Sequence, residues 1–261
     1  MSELMGFGYQ GKAAVITGSS KGIGRETAEQ MVKLGAKVML VARGEEALKE
    51  AAEELREFGD VDYIAQDITE SGAGEKIVKA VIEKYGRLDV LVNNAGSSFA
   101  KNFEDVELAD WEEDIDLKVM AAVKMAKAAL PYLKKQGGAI LNLTAVMGKT
   151  PQPNSLPTTV SRSAGLALTK AMSKDLGQYG VRVNAVCIGL IRSDQIEKRW
   201  QKQSPELSWE EFSASKADNI PLGRIGDTSE AANVITFLCS DLASYVSGTA
   251  VNIDGGSGHA W

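Results

Sequence analysis

Residues 13–30 read AAVITGSSKGIGRETAEQ, and this stretch decides the architecture. Ala13–Thr17 is a short apolar run, the pattern of a strand buried on both faces. Gly18, Gly22 and Gly24 follow, spaced G-x-x-x-G-x-G, and a helical pattern then runs from about Gly24 to Leu34 with Gly35 just beyond its end. A strand, a glycine turn and a helix in that order make a grip for phosphate. Glycine allows the tight turn and leaves no Cβ between the backbone and a pyrophosphate. The helix start adds unpaired N–H groups and the positive end of its dipole.

Outward from this unit the alternation repeats. Val38–Ala42 precedes the helix EEALKEAAEELREF, closed by Gly59, and Val61–Ala65 precedes GEKIVKAVIEKY, closed by Gly86. Leu88–Val92 leads to a long helix over Asp110–Lys135, with Asp110 as its N-cap and Glu113 as reciprocal partner. Ala139–Leu143 precedes a helix over Ser161–Tyr179, Val181–Val186 precedes a variable segment and the helix SEAANVITFLCS, and Ala250–Ile253 is the last strand. Strands apolar on both faces need helices on both sides, so the expected fold is α/β with a doubly wound parallel sheet. Ligands then bind beyond the carboxyl ends of the strands. The long irregular stretch Arg192–Leu222 follows the sixth strand on that side, carries Trp200, Trp209 and Phe212, and reads as a substrate lid.

A chain of 261 residues fits a single domain and can bury a full core. Its 29 Lys and Arg against 35 Asp and Glu give a net charge of −6, which offers no broad field for nucleic acid or an anionic membrane. Cys187 and Cys239 lie in apolar runs and read as buried free thiols, while His259 stands alone, so no metal site is expected. No run of about 18 apolar residues exists and MSELMGFGYQ lacks a signal pattern, so the expected location is cytoplasmic.

The loop Thr17–Gly24 (TGSSKGIG), Asp67, Asn93–Gly96 (NNAG), the tail of the sixth strand and the terminal IDGG together resemble the short-chain dehydrogenase/reductase family. The resemblance spans about Gln10–Gly256, with the motifs in order at family spacing. It implies a Rossmann-type doubly wound seven-stranded parallel sheet with strand order 3-2-1-4-5-6-7. It also implies a homo-oligomer, dimer or tetramer, acting on a small-molecule substrate.

The implied cofactor is NADP(H). Where an acid at the end of the second strand would bond a ribose 2′-hydroxyl, the chain has Ala42 followed by Arg43, and Lys21 stands in the glycine loop. Two cations and no acid suit a 2′-phosphate. The resemblance places Gly18, Ser20, Lys21, Gly22, Ile23 and Gly24 along the dinucleotide. It sets Asp67 and Ile68 beside the adenine, and Asn93, Ala95 and Gly96 beside the ribose. Ile188, Gly189, Ile191 and Ser193 fall beside the nicotinamide, although the family usually has Pro-Gly and Thr where Ile188-Gly189 and Ser193 stand.

The family's acid–base set is Asn, Ser, Tyr and Lys. The corresponding positions here are Lys118, Ala145, Thr158 and Arg162, all substituted. None of the six tyrosines lies between Tyr132 and Tyr179, where the site must form, so no shift of register restores the set. Thr158 can hydrogen-bond but is a poor acid beside a phenol. Arg162 can bond a ribose, and Thr144 offers a hydroxyl next to Ala145. Lys118 has three readings: an inward amine near Arg162 acting as acid or base; a side chain that points to solvent or pairs with an acid such as Asp114 one turn back; or half of an anion clamp with Arg162. The functional readings are therefore an NADP(H)-dependent oxidoreductase with altered acid–base residues, or a catalytically silent NADP(H)-binding subunit of a mixed oligomer with an active paralogue. Non-redox lyase or isomerase chemistry on the same scaffold is a further alternative.

Overall fold

The structure, a computed structural model, describes residues 6–260. Seven parallel strands form the central sheet: β1 (Ala13–Thr17), β2 (Lys37–Ala42), β3 (Val61–Ala65), β4 (Val90–Asn93), β6 (Ala139–Ala145), β8 (Arg182–Ile188) and β9 (Ala250–Ile253). Their spatial order is β3-β2-β1-β4-β6-β8-β9, which is 3-2-1-4-5-6-7 when the sheet strands alone are counted. The two remaining strands, β5 (Ala100–Lys101) and β7 (Leu156–Pro157), pair antiparallel outside the main sheet.

Alternation along each strand divides the core. Ala14 and Ile16 of β1 face one apolar cluster with α1 (Gly22–Lys33), α2 (Glu45–Leu55) and α9 (Thr228–Cys239). Ala13 and Val15 face the other cluster, with α3 (Ala73–Tyr85), α5 (Ala121–Leu133) and the end of α6 (Thr158–Leu176). Side chains such as Leu40 and Leu91 are fully buried, each contributing about 1.5–3 kcal/mol of transfer free energy. Both thiols are buried, and burial pushes the Cys239 thiol up to about 12. Among the described residues no helix is long and apolar enough to cross a membrane, and no group of three metal-ligating side chains is present.

Three expectations change. The helix expected over Asp110–Lys135 is broken into α4 (Leu108–Ile115), a π-helical turn at Asp116–Met120, and α5. Its N-cap is Glu107, with Asp110 as the reciprocal acid at the third position; the Glu107–Asp110 spacing equals that of Asp110–Glu113, so the sequence pattern fitted one turn too late. Gly59 is not a left-handed helix cap; α2 stops at Leu55, and a Cβ on Gly59 would lie 2.9 Å from Val32 Cγ1. The stretch 192–222 is not irregular: it holds α7 (Asp194–Gln203) and α8 (Trp209–Ser215). Trp200, Trp209 and Phe212 pack on one another with ring centroids 5.6–6.4 Å apart, and the Arg192 guanidinium lies 4.4 Å over Trp209. The two ends of this excursion are joined by a bridge between Ile191 and Gly226, so it leaves and rejoins the fold at one point.

Candidate functional site

The glycine loop is held from below. Thr17 Oγ1 donates to the Val92 carbonyl and accepts the N–H groups of Asn94 and Ala95, both at 3.1 Å. Asn94 returns its amide to the carbonyls of Thr17 and Gly18, each at 2.9 Å. Ser19, fully buried, donates to the Ile16 carbonyl and accepts the Val41 N–H, locking the loop to β2. Thr17, Ser19 and Asn94 are site-building residues that the sequence reading missed; the hydroxyls beside the glycines were the available signal.

The three glycines have different reasons. A Cβ on Gly18 would lie 2.8 Å from Ala95 Cα, and Gly18 has φ +65°. A Cβ on Gly24 would sit 2.5 Å from Asn94 Nδ2 and closer still to the Gly18 carbonyl oxygen. Gly22 also has positive φ, +59°, but a Cβ there would meet nothing within 4 Å. Two glycines thus close the turn, and the third keeps open the space above the start of α1. Ser20 and Ile23 are half-buried around that space, and exposed Lys21 is the N-cap of α1 in extended conformation.

Arg43 follows β2, its side chain 80% exposed, with Nη1 3.9 Å from Asp67 Oδ2. Burial opposes the Asp67 charge, but bonds from the Thr69 N–H and hydroxyl and the nearby Arg43 outweigh it, so its pKa falls below the usual value. Ile68 is buried, Ala95 half-buried and Gly96 exposed. The Asn93 amide donates to Asn142 Oδ1 at 2.9 Å, and Asn142 bonds Thr169 in turn. At the far end, Gly189 is required because a Cβ would lie 2.6 Å from Asp254 Cβ. Ile188 is half-buried, Ile191 is buried against Gly226, and Ser193 caps α7 by accepting the Ile196 N–H.

The substituted positions converge. The π-helical turn swings Lys118 inward, where it lines one small cavity with Arg162, Ser161, Thr144, Asn93 and Asn142. That cavity, about 20 Å³, has room for roughly one water. The Lys118 side chain is 1% exposed. Its amine bonds Asp114 and donates to Thr158 Oγ1 at 2.9 Å. Lys118 therefore points inward near Arg162 and pairs with Asp114, and the pair is buried rather than solvated. Burial pulls the Lys118 pKa down, the Asp114 bond pulls it up, and Arg162 repels the charge; the outcome is a lowered pKa.

Thr158 Oγ1 donates to the Phe99 carbonyl at 2.6 Å and accepts the Phe99 N–H at 3.1 Å, which joins the loop after Ala95 to the start of α6 where β5 meets β7. Arg162 is buried, and burial lowers its pKa. Its Nη1 donates to the Leu143 carbonyl at 2.6 Å, and Nη2 lies 3.1 Å from where a Cβ on Gly96 would stand. Among the described residues Arg162 Nε finds no partner. Thr144 does not fit the catalytic role expected of it. Its hydroxyl donates to the Val186 carbonyl at 3.0 Å and contacts Cys187 Sγ, so it is spent inside the sheet.

These features fit a phosphorylated dinucleotide. The open space at Gly22, the helix start, and a buried guanidinium with one unsatisfied N–H under Gly96 are what phosphates and a ribose would complete.

The sequence pattern of the family described as Enoyl-(Acyl carrier protein) reductase matches residues 18–258. An "Uncharacterized oxidoreductase" of Thermotoga maritima is 36% identical, over 95% of this chain and 98% of that protein. A 3-oxoacyl-[acyl-carrier-protein] reductase of the same organism is 34% identical, over 95% and 98%. Among solved structures, a short-chain oxidoreductase of Pseudomonas aeruginosa PAO1, described as containing an atypical catalytic center, superimposes with a TM-score of 0.94 in its apo form at 31% identity, covering 97% of this chain and all of that one. Its NADPH-bound form gives 0.92 at 30% identity, with the same coverage. The chain belongs to the short-chain dehydrogenase/reductase family of oxidoreductases.

Proposed function

We propose that this chain is an NADP(H)-dependent oxidoreductase acting on a carbonyl or alcohol, with Lys118 and Thr158 forming a proton relay where the family has its tyrosine. The observation that carries the reading is the 2.9 Å bond from the Lys118 amine to the hydroxyl of Thr158, which occupies the tyrosine position. A dinucleotide, when bound, would supply a hydride for a carbonyl carbon. Gly18, Ser20, Lys21, Gly22, Ile23 and Gly24 would hold its phosphates, Arg43 the 2′-phosphate, and Arg162 the ribose beside Ala95 and Gly96. Asp67 and Ile68 border the adenine, and Ile188, Gly189, Ile191 and Ser193 border the nicotinamide. The stretch 192–222 covers the substrate.

In the relay, the Thr158 O–H turns from the Phe99 carbonyl to the substrate oxygen. As Oγ1 gives up its proton it takes one from Lys118, so a hydroxyl with a pKa far above neutrality never carries a free negative charge. The Lys118 amine is left neutral beside Asp114 and takes up a proton before the next turnover. NADPH bound to the P. aeruginosa protein, itself described as atypical at its catalytic center, supports the cofactor assignment.

The test is titration with NADPH and NADH, followed by turnover of a carbonyl panel. NADPH should bind at least tenfold tighter than NADH. Lys118→Ala should lower kcat about 100-fold or more with little change in NADPH affinity. An unchanged rate in the variant removes Lys118 from the mechanism.

One observation favours a second reading, the silent subunit: the Thr158 hydroxyl donates to the Phe99 carbonyl of its own chain. Purification from the native source should then yield a second, tetrad-bearing dehydrogenase. A pure homo-oligomer with turnover rules that out.

A further inference from the structure

We propose that Asp114 is a positioning residue for the proton relay: one carboxylate oxygen holds Lys118, the other holds Ser161, and the carboxylate supplies the amine's counter-charge. The inference rests on the Lys118–Thr158 reading above. Asp114 lies one helical turn before Lys118, and its side chain is 4% exposed. Oδ1 takes the Lys118 amine and Oδ2 accepts the Ser161 hydroxyl at 2.5 Å. The Ser161 oxygen also lies 3.0 Å from the Thr158 carbonyl, which shares its one proton at longer range. The carboxylate therefore ties α4 to the first turn of α6, the turn that carries Thr158, and sets both members of the relay from one side chain.

Charge bookkeeping gives Asp114 its second task. The charged groups facing Lys118 are Asp114 and, from α6, Arg162. The other polar neighbours are neutral: Thr158 and Ser161 on α6, Asn93 on β4 and Asn142 on β6. One carboxylate thus sits among two buried cations. Burial and Arg162 both favour the neutral amine, and Asp114 is the group that opposes them. Without it nothing in the pocket keeps the proton that Thr158 needs.

The experiment is an NMR titration of the full chain carrying 13Cε-lysine, with the Lys118 signal identified by its loss in Lys118→Met. In Asp114→Asn the amine should titrate about one pH unit or more below the parent protein. The pH above which NADPH-dependent carbonyl reduction declines should move down with it, because the relay needs the protonated amine. A Lys118 titration unmoved by Asp114→Asn overturns the proposal. If the titration moves while the parent protein reduces no carbonyl, the relay reading fails and the counter-charge role of Asp114 stands. Should Asp114→Asn fail to fold, melting temperatures of Lys118→Met and of the double variant decide. The single change strands a buried carboxylate, so the double should melt several degrees higher; equal values overturn the proposal.

Discussion

Replacing Thr158 with valine removes one hydroxyl at nearly constant volume, and so isolates the three bonds that meet there. The Phe99 carbonyl loses its donor at 2.6 Å, the Phe99 N–H loses its acceptor at 3.1 Å, and the Lys118 amine loses one acceptor at 2.9 Å. Phe99 is half-buried, so its backbone groups regain part of their hydration, and together they account for about 1 kcal/mol. Lys118 is fully enclosed and keeps only Asp114, so its lost bond, which is charge-assisted, is worth about 1–2 kcal/mol. The sum is about 2–3 kcal/mol, which for a chain of this length lowers Tm by roughly 5–10 °C. Calorimetry at neutral pH measures this directly, and hydrogen exchange should quicken in residues 97–101, the segment that Thr158 pins. NADPH affinity should hold while kcat falls about 100-fold. A Tm within about 1 °C of the parent, with unaltered exchange and turnover, would refute the claim that this hydroxyl both anchors the loop and relays a proton.

The glycine loop gives a contrasting pair. Gly24→Ala forces a methyl against Gly18 and Asn94 and should lower stability by about 1–3 kcal/mol, seen as an earlier urea midpoint. Gly22→Ala meets no atom, so beyond the left-handed backbone penalty of about 1 kcal/mol its main effect should be NADPH affinity lost by tenfold or more in a fluorescence titration. Equal damage to stability and binding in both variants would contradict the division of labour. Glu230 provides a pH test: the Arg224 bond, with help from the Asp227 N–H, holds its carboxyl down at about 2. A depressed carboxyl stabilises the fold above its unfolded pKa, and that contribution fades as pH falls through about 4 toward 2. Glu230→Gln should therefore melt below the parent at neutral pH by no more than a few degrees, since the pair is two-fifths exposed or more, and the two curves should converge near pH 2.

The sheet was legible because its strands are mostly apolar runs bounded by glycine or polar residues, and the glycine turn after β1 is encoded in consecutive letters. Flanking motifs also fixed the register of Lys118, Thr158 and Arg162, which the fold brings to one cavity or its edge. Backbone irregularity and the direction of side chains were not legible. The π-helical turn at Asp116–Met120 carries no glycine or proline to announce it, yet it brings Lys118 to the centre of the site. Asp114, read only as a candidate partner of Lys118 one turn back, is the carboxylate of a buried ion pair that also takes the Ser161 hydroxyl from α6. Thr144 illustrates the converse: a hydroxyl in the right segment is claimed by the neighbouring strand. The helices of the 192–222 stretch were obscured by charged residues, although Ser208 and Glu211 spell a capping box in front of α8.

The aromatic cluster in that excursion has an optical consequence. Trp200 and Trp209 are two of the four indoles in the chain, and they lie in mutual contact with a guanidinium over one of them. Tryptophan emission should therefore carry a contribution from this one surface element. A stopped-flow trace at that wavelength, compared between Trp200→Phe and Trp209→Phe, would follow the excursion in real time without any attached dye.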